Sequence, residues 1–242
     1  MEPSLPTISL LSLFIAFIPG LILIAILYRW SLKASSALYA NARMLVQLLI
    51  VGYVLTYIFE TEQPAVIVGV IVVMILAASW IAMRPLKKSG LHLYALVLVA
   101  VSGSGLTMLG IVTQIVLDLP RWFEPRFVVP LAGMIFANLM NTVSLAAERF
   151  ESELTRSNNP LEARRMALEA AMIPQINSLL AVGIVSLPGM MTGQILSGVD
   201  PQVAVRYQVM VMCMVFGSGG LAAAIYLMLR TNLSALPEVA SD

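Results

Sequence analysis

The charged residues of this chain fall in short clusters, and the tracts between them carry none. The tract from Ile173 to Val199 is one such stretch without Asp, Glu, Lys or Arg. An uncharged run of about 20 apolar residues is long enough to span the hydrocarbon core of a bilayer as a helix. Composition agrees: 60% of residues are hydrophobic and 11% charged, against roughly 45–50% and 25% in soluble domains. A soluble globular domain is therefore excluded, and a polytopic membrane protein is expected. The net charge of +1, with no basic stripe interleaved with aromatics, gives no footprint for nucleic acid. Cys213 is the single cysteine, so no intrachain disulfide forms. Glu2, with no basic residue, precedes the first apolar run, and no removable signal peptide is expected.

Seven spans are predicted: Ser9–Leu27, Met44–Phe59, Pro64–Met83, Leu91–Leu117, Phe127–Ala147, Asn177–Val199 and Tyr207–Leu229. The second covers only about 24 Å at about 1.5 Å per residue. The preceding "ASSALYANAR" extends it, with Arg43 snorkelling to the interface. The fourth is long and contains "VSGSGLTMLG", which predicts a kink or tilt.

Basic residues orient the spans. Arg29, Lys33, Arg43, Arg84, Lys87, Lys88, Arg149, Arg156, Arg164, Arg165 and Arg230 fall on one side, and only Arg121, Arg126 and Arg206 on the other. Basic loops stay in the cytoplasm. The N-terminus is then outside and the C-terminus cytoplasmic.

One long cytoplasmic segment, about residues 148–175, separates spans five and six. Its "SNNPLE" is a helix start: Asn159 is the N-cap, Pro160 is at N1 and Glu162 is at N3. Pro174 is expected to close the helix. Leu161, Arg165, Leu168 and Met172 share one face, with Glu162, Arg164 and Glu169 around it. Such a helix suits either of two roles: resting on the bilayer surface or docking a soluble partner.

No Asp, Glu, Lys or Arg lies well inside a span, which argues against a carrier driven by a proton gradient. No G-x-x-x-x-G-K-[ST] is present, so the chain has no P-loop for ATP, and no H-E-x-x-H or serine-nucleophile motif is found. His92, the single histidine, is expected at the interface. Asn138 and Asn141, three apart, are expected on one face with Ser144 and Glu148, either lining a path or bonding helices together. Gln47 and Gln114 are weaker instances. Gly189 and Gly193 make a G-x-x-x-G contact. Among 15 methionines, Met190, Met191, Met210, Met212 and Met214 cluster near spans six and seven, as apolar filler or as soft thioether ligands. "VSLPGMMTG" interrupts span six. Pro188 cannot donate to the Ile184 carbonyl, and Gly189 frees the backbone, so a discontinuity is expected at Pro188–Met191.

"RMLVQLLIVGYVLTYIF", "AGMIFANLMNTVSLA", "AAMIP" and "VGIVSLPGMMTGQILSGVDPQVAVRYQVMVM" resemble the FetB family, over about Arg43 to Met214. Those proteins are the membrane halves of two-component ABC transporters, associated with iron export in bacteria and aluminium tolerance in plants. The resemblance implies a permease, not an enzyme, that pairs as a homodimer with a separate ABC ATPase in the bacterial inner (plasma) membrane. ATP and Mg then bind the partner subunit, and no cofactor binds this chain. It implies a metal ion as cargo, iron first, with ligands unknown. It also implies a coupling role for Asn159, Pro160, Leu161, Glu162, Arg164, Arg165 and Leu168. Asn138, Asn141, Pro188, Gly189, Met190 and Met191 are the candidate path or hinge residues. Relatives favour a Gly-Ala-Thr-Pro-like start to the coupling helix, where this chain has Ser157, Asn158, Asn159 and Pro160. The expectation is an all-α polytopic bundle, one permease domain over residues 1–242. A secondary carrier, a non-transporting membrane scaffold and ABC export of an organic solute are the alternatives.

Overall fold

The computed structural model describes residues 8–86 and 90–235. Glu2, Lys87 and Lys88 lie outside them. All regular structure described is helical: α1 (Leu10–Arg29), α2 (Ala34–Glu60), α3 (Pro64–Ala82), α4 (Leu91–Gly110), α5 (Pro125–Ser157), α6 (Pro160–Ala181), α7 (Gly189–Leu196) and α8 (Pro201–Ala235). Among the described residues, six helices are long and apolar enough to cross a membrane: α1, α2, α3, α4 with the π-helical turn Ile111–Val116, α5 and α8. The chain is a polytopic helical membrane protein.

Residues up to Thr61 form one compact unit and those from Glu62 a second. In the first, the Ser9 hydroxyl caps α1 by accepting from the Ser12 N–H at 3.1 Å. α2 begins at Ala34, so "ASSALYANAR" is helical and lengthens the second span to 27 residues. With its amide turned to suit its neighbours, Gln47 accepts from the Arg43 guanidinium at 3.3 Å.

In the second unit α5 is central and packs on α3, α4, α6 and α8. Val128, Ile135, Leu139, Val143 and Phe150 of α5 are buried, at helical spacing. Against them lie Val97 and Val101 of α4 and Ala222, Ala223, Tyr226 and Leu227 of α8, all fully enclosed. Gly105 lets α4 approach: a Cβ there would strike the Phe136 ring and the Leu139 side chain. The fourth span continues from α4 without interruption into its π-helical turn, in which the Leu117 N–H reaches the Val112 carbonyl at 2.9 Å.

α5 and α8 run parallel. Arg230 Nε donates to Glu151 Oε1 at 2.9 Å near both C-terminal ends. Asn138 Nδ2 donates to the Val215 carbonyl at 2.7 Å, further toward both N-termini. The chain between them must therefore cross back once. The sequence predicted that crossing as one span, Asn177–Val199, interrupted at Pro188–Met191; the structure divides it earlier, between Ala181 and Gly189. α6 runs from Pro160 to Ala181, a turn follows over residues 182–188, and α7 completes the return.

Two other expectations are corrected. The segment of residues 148–175 is not a loop carrying a short helix. α5 has 33 residues, about 50 Å at about 1.5 Å each, against a hydrocarbon core of about 30 Å. Its charged end therefore runs on past the membrane and meets α6 across the two-residue turn Asn158–Asn159. Nor does Pro174 close α6, which continues to Ala181. The buried face of α6 is Ala163, Ala167, Ala171 and Gln175. That face continues past the proline, and its packing outweighs the one backbone bond the proline withholds from Ala170.

Candidate functional site

Among the described residues, an interhelical polar cluster joins α5, α6 and α8. Gln175 Nε2 of α6 donates to Asn138 Oδ1 and to Thr142 Oγ1 of α5, each at 2.8 Å. Thr142 Oγ1 donates to its own helix at the Asn138 carbonyl, 2.9 Å away. Asn138 Nδ2 closes the set on α8 at Val215. Gly219 of α8 makes room: a Cβ there would collide with the Asn138 amide and sit 3.0 Å from Thr142 Oγ1. Three helices are thus joined at one level. Ser104 Oγ of α4 adds a fourth attachment, donating to the Ser218 carbonyl at 2.8 Å. Asn141 is exposed and outside the cluster, Ser144 is half-buried and Glu148 exposed. The two asparagines therefore do not form one inward stripe: a three-residue step turns the helix by about 300°, enough to put Asn141 at the edge of the α5 packing face.

At the other end of α6, the hairpin tip is held locally. Asn158 ends α5 in the left-handed region at φ 50°, which asparagine tolerates. Asn159 Oδ1 caps α6, accepting from the N–H groups of Leu161 at 3.1 Å and Glu162 at 3.3 Å. Pro160 occupies the first turn, where no donor is needed. Glu153 of α5 is only 2% exposed, and its carboxylate lies 2.6 Å from Arg149 and 3.2 Å from Arg156. A buried carboxylate between two guanidinium groups braces the helix end, and losing one partner would be costly, although Glu153 Oε2 and Arg149 Nε make no hydrogen bond. Arg230 also lies over the Phe150 ring, 5.6 Å from its centroid, tying α8 to the same end of α5.

With the alanine face turned inward, the leucine face of α6 is left outward. Leu161 is 62% exposed. Glu162 and Arg165 are exposed, and Arg164 and Leu168 half-buried.

Residues 9–233 match a family described as Uncharacterised protein family (UPF0014). The chain belongs to the UPF0014 family. It is 34% identical over 225 residues to UPF0014 membrane protein YjkA of Bacillus subtilis (strain 168), covering 84% of this chain and 87% of that one. It is 32% identical over 203 residues to the probable iron export permease protein FetB of Escherichia coli (strain K12), covering 78% and 77%. It is 27% identical over 215 residues to protein ALUMINUM SENSITIVE 3 of Arabidopsis thaliana, covering 81% and 77%. No solved structure matches it. The family resemblance carried by the sequence motifs therefore holds, and this UPF0014 chain is similar to membrane permeases.

The break in the return crossing of this UPF0014 protein lies just before the expected position. The backbone departs from helix at Val182, turns through Gly183 at φ 82°, and resumes at Gly189. Pro188 is the N-cap of α7, and Gly189, Met190 and Met191 are in its first turn. The turn satisfies much of its own backbone. The Ala181 carbonyl accepts from Ile184 at 3.3 Å, Val185 at 2.8 Å and Ser186 at 3.1 Å, and Gly183 N–H donates to the Ser186 carbonyl at 2.9 Å. Irregular backbone within a membrane requires such satisfaction. Sequence reasoning missed Gly183, whose signal was a glycine in an apolar run. It also missed Gln175, whose signal was its place four residues past Ala171 on the small-residue face.

Proposed function

We propose that this chain is the permease subunit of an ATP-driven exporter. It works as a homodimer with two copies of a separate ABC ATPase in the bacterial inner membrane, and it moves metal ions outward, iron first. The observation that carries this reading is the α5–α6 hairpin. α5 is longer than a bilayer requires by roughly 20 Å, its charged end is ion-paired, and the start of α6 is capped. On it, α6 keeps Leu161 and Arg165 outward. A protrusion with an apolar stripe and an exposed basic residue suits a soluble subunit that supplies the energy this chain has no P-loop to supply. ATP and Mg belong to that subunit. The cargo and direction follow the name of the Escherichia coli relative. The orientation, with the hairpin cytoplasmic and the N-terminus outside, follows the basic residues.

The test is co-purification with ABC ATPases that lack membrane domains, followed by ATP hydrolysis in nanodiscs across a panel of metal ions. A partner whose hydrolysis rises with iron supports the reading. Transport driven by an ion gradient, with no ATPase present, would assign a secondary carrier instead.

A further inference from the structure

One helical turn from the polar cluster, toward the N-terminus of α5, lies a cavity of about 40 Å³. Three methionines from three helices line it: Met134 of α5, Met190 of α7 and Met210 of α8. Tyr207 and Leu117 line it too, and so does Arg126, which is otherwise exposed. The size excludes an organic solute, since ligand pockets run to about 300–1,000 Å³. It suffices for a single ion held directly by side chains. Among the described residues, no three of His, Cys, Asp and Glu converge where they could hold a metal ion. Three methionines, one from each of three helices, line this one small cavity. Neutral, polarisable sulfur is a poor ligand for hard cations and a good one for soft monovalent cations. A soft cation also sheds its hydration more readily, which suits a small, largely apolar site.

We infer that Met134, Met190 and Met210 form a binding site for one soft monovalent cation of the Cu(I) or Ag(I) type. Met190 lies in the first turn of α7, directly after the break, so the third ligand is borne by a short element that packs chiefly on α8. The site does not depend on an ATPase partner, because binding is a property of the permease alone. The Arg126 guanidinium opposes a cation in this cavity and weakens the site at rest.

The experiment uses the full chain, purified in nanodiscs, with Cys213→Ser to remove its exposed thiol. Ag(I), which needs no reductant, is the probe, and bound silver is counted after desalting. One silver per chain is expected, with sulfur neighbours in X-ray absorption. The Met134→Leu, Met190→Leu, Met210→Leu variant, which nearly preserves side-chain volume, should lose it. Met44→Leu with Met228→Leu should not. Should the triple variant fold poorly, Met190→Leu alone should weaken binding tenfold or more. Arg126→Gln should tighten binding, whereas weakening would mark the occupant as an anion and overturn the inference. Unchanged silver binding in the methionine variants, or no stoichiometric silver in the parent, would also overturn it. None of these outcomes bears on whether an ATPase docks, so this inference and the exporter reading fail separately.

Discussion

Replacing Gln175 with leucine isolates the polar cluster. The substitution keeps most of the volume and removes two donated bonds, to Asn138 Oδ1 and Thr142 Oγ1, each 2.8 Å long. The other two bonds, Thr142 to the Asn138 carbonyl and Asn138 to the Val215 carbonyl, involve neither lost donor and stay. The loss therefore falls on two acceptors in a low-dielectric interior. An interhelical hydrogen bond in a membrane protein is worth about 0.6 kcal/mol on average and about 1.7 at most. Two bonds give roughly 1.2–3.4 kcal/mol. The greater apolar affinity of leucine offsets part of this, leaving a net destabilisation of about 1–2 kcal/mol. Reversible unfolding in mixed micelles, or steric trapping in bilayers, reads that difference. A double-mutant cycle with Thr142→Val should show coupling of at least about 0.5 kcal/mol. A variant as stable as the parent, with additive effects in the cycle, would refute the assignment of Gln175 as a bond between helices.

Leu161→Asp with Leu168→Asp should abolish ATPase co-purification while leaving membrane insertion intact, because each leucine covered by a partner contributes roughly 1.5–3 kcal/mol. Undiminished association would return the α6 leucine face to the bilayer surface. Gly183→Val should destabilise by about 1–3 kcal/mol, since a β-branched residue is strained at φ 82°, and thermal unfolding of the purified protein checks it. Pro188→Ala should be far milder, because an N-cap position tolerates many residues. A cysteine at Ser157, in the Cys213→Ser background, should react with impermeant reagents only from the cytoplasmic side; labelling from outside would invert the topology.

Much of the bundle was legible because uncharged length is a strong signal: α1 to α5 and α8 each follow an apolar tract. The start of α6 was equally legible, since capping by Asn159 and Pro160 is a local matter. The failures share a cause. Pro174 and the run from Ile173 to Val199 were judged by local rules, whereas tertiary packing decides them. Alanine at 163, 167 and 171 carries little hydropathy, so the face that packs α6 onto its neighbours is quieter in sequence than the leucine face left outside. Asn138 could be picked out as an isolated amide in an apolar tract. Its partner, Gln175, sat in a segment assigned to the cytoplasm, so nothing local linked them.

The alanine face of α6 has a mechanical consequence. Helices lock together where large side chains interdigitate as ridges in grooves. Ala163, Ala167 and Ala171 offer only shallow ridges, so α6 lies on its neighbours like a rod in a smooth bearing. Axial displacement of that rod would break one latch, the two bonds of the Gln175 amide. One end of the rod is the capped tip at Asn158–Asn159, where a load can be applied. The other end is the turn at residues 182–188, fastened to itself and carrying Ile184 at 89% and Val185 at 81% exposure. On the proposed coupling role, a thrust at the tip that releases the latch would be delivered to that turn, and through it to α7.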